Sequence, residues 1–362
     1  GTGVTKTGTD ADETVTGGFF DDDITLGAGN DVGNGKVGND SLAGGAGNDT
    51  FTFATANLTS LDTIAGGAGT DIITFSNADT VVDADFTNVT GVETLTGHSG
   101  NSTITLGPLA TAAGIVNVKP GAGTNSVTIP ATHTGDLTVT AAGSDTIAAN
   151  ASYAGTLTVT FDIDAQIADT VTGGAGTSDK ISMTLDGAGD TAIAETDLDS
   201  VTLFEVFDVA SNVAASTTSD TLMIATGKSM SWTGSAMTTA ALTLDVSDET
   251  DTTSSQTVSL GGTGAHIITL GSGTDSYTYT YSGTGTHGVQ TVVATAGTNT
   301  ITTLDAADII TMGSGVDTIS SGAGNDTITV ATANLVSTDT VTAGAGTDTL
   351  ALSNAATVVD AD

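Results

Sequence analysis

The sequence feature that most constrains the fold of this chain is an acidic residue that returns every nine positions. In the N-terminal part this acidic residue is followed by any residue and then by an apolar one, except after Asp31, where Gly33 takes the apolar position. The acidic positions here are Glu13, Asp22, Asp31, Asp40 and Asp49, and then Asp62 and Asp71 after an insertion within 54–58. A fixed short period indicates a coiled architecture in which each repeat stacks on the next.

The same period returns near the C-terminus and belongs to a larger repeat. The corresponding positions are Gln290, Asn299, Asp308, Asp317, Asp326, Asp339 and Asp348. Residues 45–85 align without a gap to 322–362, at an offset of 277, with 29 of 41 positions identical. The chain therefore holds about 1.3 copies of a 277-residue unit. We expect it to be an excised or processed window of a longer tandem array.

The composition excludes several classes of function. The 362 residues include 42 Asp and Glu but only five basic residues, all of them Lys, and the net charge is −37. A nucleic-acid-binding face needs clustered basic residues that displace phosphate counterions, and five dispersed Lys cannot form one. The absence of cysteine excludes disulfides and thiolate metal sites. No run of about 18 apolar residues occurs, so no transmembrane segment is predicted.

The strand signals predict an all-β fold. Thr makes up about a fifth of the chain and Gly contributes 48 residues, and Thr and Val favour strands whereas Gly favours turns. We predict parallel β-roll or β-solenoid segments at both ends, with a Thr-rich β domain, either solenoid or sandwich, between them. The predicted parts are a β-roll over 1–75, a connector over 76–100, a Thr/Ala/Gly-rich β domain over 101–260 with a second connector near 171–209, and a β-roll over 261–362 that continues into the second copy of the unit. The connector segments Thr80–Phe86 and Ala192–Leu198 are short helices or loops.

The loops that carry the acids have the composition of a cation site. In the loop from Gly44 to Asp49, G-G-A-G-N-D, the glycines permit positive φ and tight turns that direct carbonyl groups inward. Carbonyl and carboxylate oxygens together suit Ca²⁺, whereas Mg²⁺ requires stricter octahedral geometry and more water. Two nonapeptides make one coil, so loops on one side of the coil are eighteen residues apart. The cation-sharing pairs that this spacing predicts are Asp22 with Asp40, Asp31 with Asp49, and Asp308 with Asp326.

These loops resemble the RTX (repeats-in-toxin) calcium-binding nonapeptide, G-G-x-G-x-D-x-U-x, where U is a large apolar residue. The similarity is close at 44–52 and 66–74, and residues 322–329 and 344–350 match without the first glycine. The resemblance implies a parallel β-roll that binds several Ca²⁺ ions through Asp side chains and nearby carbonyl groups. The ligand positions it implies are Asp22, Asp31, Asp40, Asp49, Asp62, Asp71, Asp308, Asp317, Asp326, Asp339 and Asp348, with Gly27, Gly29, Gly45, Gly47, Gly67, Gly69, Gly322, Gly324, Gly344 and Gly346. We expect the departing rungs at Glu13, Gln290 and Asn299 to hold calcium weakly or not at all.

The wider sequence is similar in style to bacterial surface-layer (S-layer) proteins and large repetitive adhesins, which combine RTX loops with Thr/Ala/Gly-rich strands and few basic residues. That resemblance implies a secreted, calcium-dependent structural protein of the cell surface. Such a protein assembles with copies of itself into an S-layer or a filament, with cell-surface polysaccharide as a further partner. The alternative is an extracellular adhesin whose β-rolls are rigid spacers that present a ligand-binding domain.

Other motifs favour less specific interpretations. A ladder of Asx turns without metal is the alternative reading of the Asp positions. The segment Ala225–Ser229 is reminiscent of a P-loop, but Leu222 occupies the position of the first glycine of that motif. No H-E-x-x-H and no G-x-S-x-G occurs, so we expect no enzymatic activity. The four His residues are interpreted as solvated or turn residues: His98, His133, His266 and His287.

Overall fold

The computed structural model describes residues 2–78, 80–162, 169–184, 201–209, 215–218, 229–234, 237–247, 252–281 and 287–354. Over these residues the chain is all-β and winds as a parallel β-solenoid, which confirms the predicted fold class. The chain forms two compact units. The N-terminal unit comprises residues 1–161 and 167–179, and the C-terminal unit comprises residues 162–166 and 180–362.

Three parallel sheets line the coils of the N-terminal unit. The first sheet contains Thr5–Thr7, Asp23–Ala28, Ser41–Ala46, Thr63–Ala68 and Val89–Thr90. The second contains Thr14–Thr16, Val32–Asn34, Thr50–Phe53, Ile72–Phe75, Thr94–Thr96, Asn117–Lys119, Leu137–Thr140 and Leu157–Asp162. The third contains Thr80–Val81, Thr103–Thr105, Ser126–Ile129, Thr146–Ala149 and Thr170–Thr172.

Alternation of Thr with apolar residues gives each strand one buried face, because successive side chains of a strand point to opposite sides. Parallel pairing places each inward side chain directly over its equivalent in the next coil, so the core consists of columns that run along the solenoid. The columns are Ile24, Leu42, Ile64 and Val89 in the first sheet, Phe51, Ile73, Leu95, Val118, Val139 and Val159 in the second, and Val81, Ile104, Val127, Ile147 and Val171 in the third. All of these side chains are buried.

Each acid of the N-terminal repeats is followed two residues later by an apolar side chain, except that Gly33 follows Asp31. Neighbouring side chains fill the space at Gly33. A Cβ on Gly33 would lie 3.2 Å from Leu26 Cδ1, 3.3 Å from Leu42 Cδ2 and 3.5 Å from Phe51 Cδ1. Phe51, the next residue of the same column, and Leu26 and Leu42 of the first sheet therefore occupy the space of the missing apolar side chain, and the rung of Asp31 keeps its place in the stack.

Short helices form where the period of nine is interrupted. The insertion after Asp49 contains the 3₁₀ helix Thr55–Asn57. The first connector contains the strand Thr80–Val81 and then the 3₁₀ helix Asp83–Phe86, whereas Ala192–Leu198 lies outside the described residues. An α-helix follows at Pro108–Ala113 and ends at Gly114, which has a φ of 101°. No helix among the described residues has the length and apolar composition needed to cross a lipid bilayer.

The C-terminal unit is also built from parallel coils. One sheet contains Lys180–Thr184, Val206–Val209, Ser229–Thr233, Ser255–Gly261, Thr274–Thr280, Ala296–Thr302, Ser314–Ser320 and Thr340–Thr342. The other contains Ala215–Thr218, Leu242–Asp245, Ile267–Thr269, Thr291–Val293, Ile309–Thr311, Thr327–Val330 and Thr349–Leu352. The unit further contains the two-residue strand Val201–Thr202.

The choice between solenoid and sandwich for the middle segment is settled for its described residues. Every strand pairing resolved between 101 and 260 is parallel and joins successive coils, as in a solenoid. Trp232 is buried there, packs on Phe207 at a ring-centroid distance of 4.9 Å and donates its Nε1–H to Gln256 Oε1 at 2.8 Å. The boundaries at 75, 100 and 260 stay predictions.

The stacked core predicts that Phe51→Ala destabilises the N-terminal unit strongly. The ring is completely buried between neighbours in its column, so its removal is expected to lower the free energy of unfolding by about 3–5 kcal/mol. Phe19→Ala is the matched control, because Phe19 is 76% exposed and should change stability by less than about 0.5 kcal/mol. Urea unfolding followed by circular dichroism in excess calcium measures both, and equal losses would contradict the columnar core.

Candidate metal centre

The periodic acids of the N-terminal unit are held by backbone hydrogen bonds between coils. One carboxylate oxygen of each Asp accepts the N–H of the equivalent residue one coil earlier. On one side these bonds join Glu13 to Asp31 (2.7 Å), Asp31 to Asp49 (2.9 Å) and Asp49 to Asp71 (2.7 Å). On the other side they join Val4 to Asp22 (2.6 Å), Asp22 to Asp40 (2.8 Å) and Asp40 to Asp62 (2.8 Å). We call each series an acceptor ladder.

The C-terminal unit has the same ladders, and they run through the rungs that lack an acid. The backbone bonds join Gln290 to Asp308 (2.7 Å), Asp308 to Asp326 (2.8 Å), Asp326 to Asp348 (3.0 Å) and Asp317 to Asp339 (2.9 Å). Below them, Gln290 Oε1 accepts the N–H of His266 at 3.3 Å, and His266 Nδ1 accepts the N–H of Leu242 at 2.9 Å. A neutral acceptor can therefore take the backbone N–H as well as an acid can, so this bond alone does not require metal.

The second carboxylate oxygen separates the rungs into two groups. In Asp31, Asp40, Asp49, Asp71 and Asp326 the Oδ2 atom is buried and no donor among the described residues reaches it. In three others, Oδ2 accepts a local backbone N–H, from Gly18 to Asp22, from Thr59 to Asp62 and from Val336 to Asp339. A buried charged oxygen without a partner is costly, so a cation beside the first group would be favourable.

The first glycine of the motif creates space beside these oxygens. A Cβ on Gly44 would lie 2.2 Å from Asp49 Oδ2 and 2.4 Å from the carbonyl oxygen of Gly66 in the next coil. No side chain fits there, and a carboxylate oxygen and a carbonyl oxygen face the same small space. This is the oxygen set that Ca²⁺ takes. Among the described residues no three His, Asp or Glu side chains come close enough to hold a metal ion, so a cation at these loops depends on carbonyl groups.

The ten glycines predicted as carbonyl ligands share one backbone conformation. All have φ between 88° and 146°, as the tight loops require. Their carbonyls also direct the stacking of coils, since a Cβ on Gly45 would meet the Gly27 oxygen at 1.9 Å and a Cβ on Gly67 would meet the Gly45 oxygen at 2.1 Å. Their role as ligands stays a prediction, as does that of the predicted Asp residues.

The sequence analysis missed the carbonyls nearest to the unpartnered oxygens. These belong to Gly66 and Gly91, and the acid that continues the ladder after Asp71 is Glu93. The signal available in the sequence was the first glycine of each G-G-x-G-x-D loop, because a position without Cβ indicates close approach of other atoms. Nothing in the period of nine indicated Glu93, which follows Asp71 by 22 residues.

The loops of the C-terminal unit differ at this first position. Thr303 and Ser321 stand five residues before Asp308 and Asp326, where the loops of Asp40, Asp49 and Asp71 have glycine and the loop of Asp31 has Leu26. Thr303 Oγ1 donates to the Ser321 carbonyl and Ser321 Oγ donates to the Ala343 carbonyl, both at 3.0 Å. The carbonyls of Ser321 and Ala343 lie beside the first position of the previous coil's loop, as the Gly66 and Gly91 carbonyls do in the N-terminal unit. Because they already accept a hydroxyl hydrogen bond, the carbonyls of Ser321 and Ala343 are less available to a cation.

Burial and mutual repulsion act on the ladder carboxyls. Burial raises the pKa of Asp49, the N–H of Asp31 opposes the rise, and the Asp31 charge adds to it. Burial likewise raises the pKa of Asp71, opposed by the N–H of Asp49 and reinforced by the charges of Asp49 and Glu93. Among the described residues, Lys180 forms an ion pair with Asp208 at 2.7 Å. This pair is far in sequence from the ladders, so it does not neutralise their carboxylates. A cation from solution beside these carboxylates would offset both effects.

A further acceptor ladder lies outside the nonapeptide loops. Asn125 Oδ1 accepts the N–H of Ser102 at 2.9 Å, Asp145 Oδ1 accepts the N–H of Asn125 at 3.0 Å, and Asp169 Oδ1 accepts the N–H of Asp145. Asp145 and Asp169 are buried. Burial raises the pKa of Asp169 to about 6, the Asp145 N–H opposes the rise and the Asp145 charge adds to it.

Two of the four His residues are buried, so the interpretation of all four as solvated or turn residues was wrong for them. His133 Nδ1 lies 2.9 Å from Thr111 Oγ1, and His266 accepts a backbone N–H as described above. Burial lowers the pKa of both rings, which favours their neutral forms. His266 Nδ1 accepts a backbone N–H inside the coil, and His133 Nδ1 also lies 3.2 Å from the Gly107 carbonyl oxygen. They replace loop acids or support turns.

The comparison with known families agrees with these loops. The family model of the RTX calcium-binding nonapeptide repeat (4 copies) matches residues 7–42, 27–54, 61–80 and 293–328. These segments contain both N-terminal ladders as far as Asp62 and Asp71, and the rungs Asp308, Asp317 and Asp326, whereas Glu93, Asp339 and Asp348 lie outside them. A comparison with the curated proteins finds no match.

The Asp145–Asp169 step predicts a stability that falls as pH rises. The pKa of Asp169 in the folded chain, about 6, lies above the unfolded value near 3.9, so its contribution is full below about pH 4 and is lost as pH rises through about 6. Asp169→Asn keeps the Oδ1 acceptor and is expected to raise the unfolding free energy at pH 8 by about 1–2 kcal/mol.

This comparison is made by urea unfolding in EGTA between pH 4 and 8, so that calcium does not contribute. Asp10→Asn, at an exposed position, serves as the control and should leave the pH dependence as in the parent. If Asp169→Asn and Asp10→Asn give the same pH dependence of the unfolding free energy, the pKa of Asp169 is not raised in the folded chain.

Proposed function

We propose that this chain, whose repeat segments belong to the RTX calcium-binding nonapeptide family, is a secreted, calcium-dependent structural protein of the bacterial cell surface. In this proposal copies of the protein assemble into an S-layer or a filament, and cell-surface polysaccharide is a further partner. Calcium binding is coupled to folding, and folding is coupled to assembly.

The observation that carries the proposal is the buried Oδ2 atom that faces a carbonyl of the next coil. The carboxylate oxygen and the carbonyl oxygen come from different coils, as with Asp49 and Gly66. They therefore lie beside each other only when the solenoid is folded. A cation that binds only the folded chain stabilises it by RT ln(1 + [L]/Kd), about 2.7 kcal/mol for each site at a concentration of 100 Kd. Calcium binding free energy therefore becomes folding free energy.

The charge of the chain supports a difference between the inside and the outside of the cell. With 42 acids and five Lys, the chain opposes compaction by self-repulsion when divalent cations are scarce. Such a chain would remain loose where calcium is low, as suits export, and would fold where calcium is abundant. The 277-residue repetition supports a long or periodic assembly, because a solenoid grows by adding coils to its open end.

Catalysis is not part of the proposal. The sequence has no cysteine and none of the metalloprotease or serine hydrolase motifs considered above. The two buried His residues, His133 and His266, hold hydrogen bonds within the coils. The solenoid therefore carries a structural role, with calcium as its ligand.

Asp49→Asn and Asp62→Asn form a matched pair that tests the calcium sites. Both carboxylates accept a backbone N–H from the previous coil, but only Asp62 Oδ2 also accepts hydrogen bonds from Thr59, from N at 2.7 Å and from Oγ1 at 3.1 Å. In excess calcium, Asp49→Asn should remove about one bound ion and about 2–3 kcal/mol of stability. In EGTA it should be neutral or stabilising, because a buried charge without a donor is removed.

Asp62→Asn should instead lose about 1–3 kcal/mol of stability in EGTA as well, because its new amide group opposes the Thr59 N–H. Isothermal titration calorimetry and urea unfolding supply both quantities. Unchanged calcium stoichiometry in Asp49→Asn, or an equal loss from this variant in EGTA, would contradict calcium binding at the ladder.

Assembly is tested by electron microscopy of the purified chain with calcium and with EGTA. We expect sheets or filaments in calcium and dispersed material in EGTA, with Asp49→Asn requiring more calcium for the same order. Isolated rods in calcium would instead favour the alternative, an extracellular adhesin whose β-rolls are spacers. The same result in both solutions would contradict calcium-dependent assembly.

A further inference from the structure

The acceptor ladder of the N-terminal unit continues beyond the nonapeptide repeats. Glu93 Oε2 accepts the N–H of Asp71 at 2.7 Å, as Asp71 accepts that of Asp49 and Asp49 that of Asp31. Glu93 lies in the connector, outside the segments that match the RTX repeat, in a coil with no G-G-x-G-x-D loop. An acid with a longer side chain thus occupies the next rung of the same ladder.

The oxygens at this step repeat those at the step below it. Asp71 Oδ2 is buried and no donor in the described part of the chain reaches it. A Cβ on Gly66 would lie 2.5 Å from Asp71 Oδ2 and 1.8 Å from the carbonyl oxygen of Gly91, just as one on Gly44 would meet Asp49 Oδ2 and the Gly66 carbonyl. Gly91 has a φ of 62°, a left-handed conformation in the turn that carries this carbonyl.

The other ends of the ladders differ in having local donors. At Glu13 the glycine geometry itself recurs, because a Cβ on Gly8 would lie 2.5 Å from Glu13 Oε2 and 1.9 Å from the Leu26 carbonyl oxygen. The neighbouring ladder ends at Asp62, whose Oδ2 accepts hydrogen bonds from Thr59. At the opposite end of the same ladder, Glu13 accepts hydrogen bonds from Thr9, from N at 2.9 Å and from Oγ1 at 2.5 Å. These ends are closed by local donors, whereas the Asp71–Glu93 step joins a buried oxygen without a donor, a carbonyl and a further carboxylate.

We propose that Asp71 Oδ2, the Gly91 carbonyl and the Glu93 carboxylate bind a Ca²⁺ ion at the step where the repeats meet the connector. The inference rests on the proposed calcium function. It adds a site in which two ligands, Gly91 and Glu93, lie outside the nonapeptide repeats. Calcium at this step fixes the connector coil to the last repeat coil.

The connector coil links this site to the elements that follow it. Strand Thr94–Thr96 pairs with Ile72–Thr74 below and with Asn117–Lys119 above. The Val92 N–H donates to the Ala113 carbonyl at 3.0 Å, and the Val116 N–H donates to the Glu93 carbonyl at 3.0 Å. The site therefore passes calcium-dependent order from the repeats to helix Pro108–Ala113 and the coil above.

Glu93→Gln tests the site, because glutamine keeps the oxygen that accepts the Asp71 N–H and removes the charge. We expect calorimetry of the full chain with CaCl₂ to give one bound ion fewer than in the parent, or at least a tenfold weaker final site. Glu13→Gln is the matched control at the closed end of the same ladder and should keep the parent stoichiometry. Parent stoichiometry and affinity in Glu93→Gln would overturn the inference.

Hydrogen exchange of the unmodified chain gives a second readout that does not depend on a variant. Calcium should slow exchange at the amides of Asp71, Val92 and Val116 at least tenfold relative to EGTA. Protection that stops at the repeats and leaves Val92 and Val116 unchanged would overturn the inference. Failure of the chain to bind calcium at all would instead overturn the proposed function, as would parent stoichiometry in Asp49→Asn.

Discussion

The structure depends on one type of hydrogen bond, in which a buried carboxylate accepts the backbone N–H of the equivalent residue one coil earlier. It fixes the height of each loop, because the acid and its donor are equivalent positions of successive coils, as with Asp49 and Asp31. The bond explains why the acids of one ladder recur once in each coil. It also explains why neutral acceptors such as Gln290 and His266 substitute without breaking the stack. Each apolar column then follows from the same spacing.

The carboxylate oxygen that does not take part in this bond determines the chemistry of each loop. A carboxylate has two oxygens, and the ladder uses one. Where a loop offers a local donor, as Thr59 does for Asp62, the second oxygen is satisfied within the chain. Where a glycine lets a carbonyl approach, as Gly44 does for Asp49, a carboxylate oxygen and a carbonyl oxygen face the same small space, and this oxygen set suits Ca²⁺.

The two repeat regions use this principle to different degrees. The N-terminal loops of Asp49 and Asp71 keep the first glycine, so carboxylate and carbonyl oxygens face the same space there. Thr303 and Ser321 replace it in the C-terminal unit, and their hydroxyl groups donate to the corresponding carbonyls. At Gln290 and His266 a neutral side chain accepts the backbone N–H in place of an acid. The same type of coil is therefore built with charged acceptors in some rungs and with neutral acceptors in others.

The sequence by itself determined the all-β coiled class and the acidic positions, because a period of nine fixes which side chains face inward and which loops stack. It also predicted positive φ at ten glycines, because the tight turns of these loops favour a residue without Cβ. Only the tertiary structure decided that residues 101–260 are coils where described, that Asp62 is satisfied by Thr59, and that Glu93 extends the ladder. These outcomes depend on which donor or carbonyl of another coil lies beside each oxygen, and the spacing along one chain does not contain that distance.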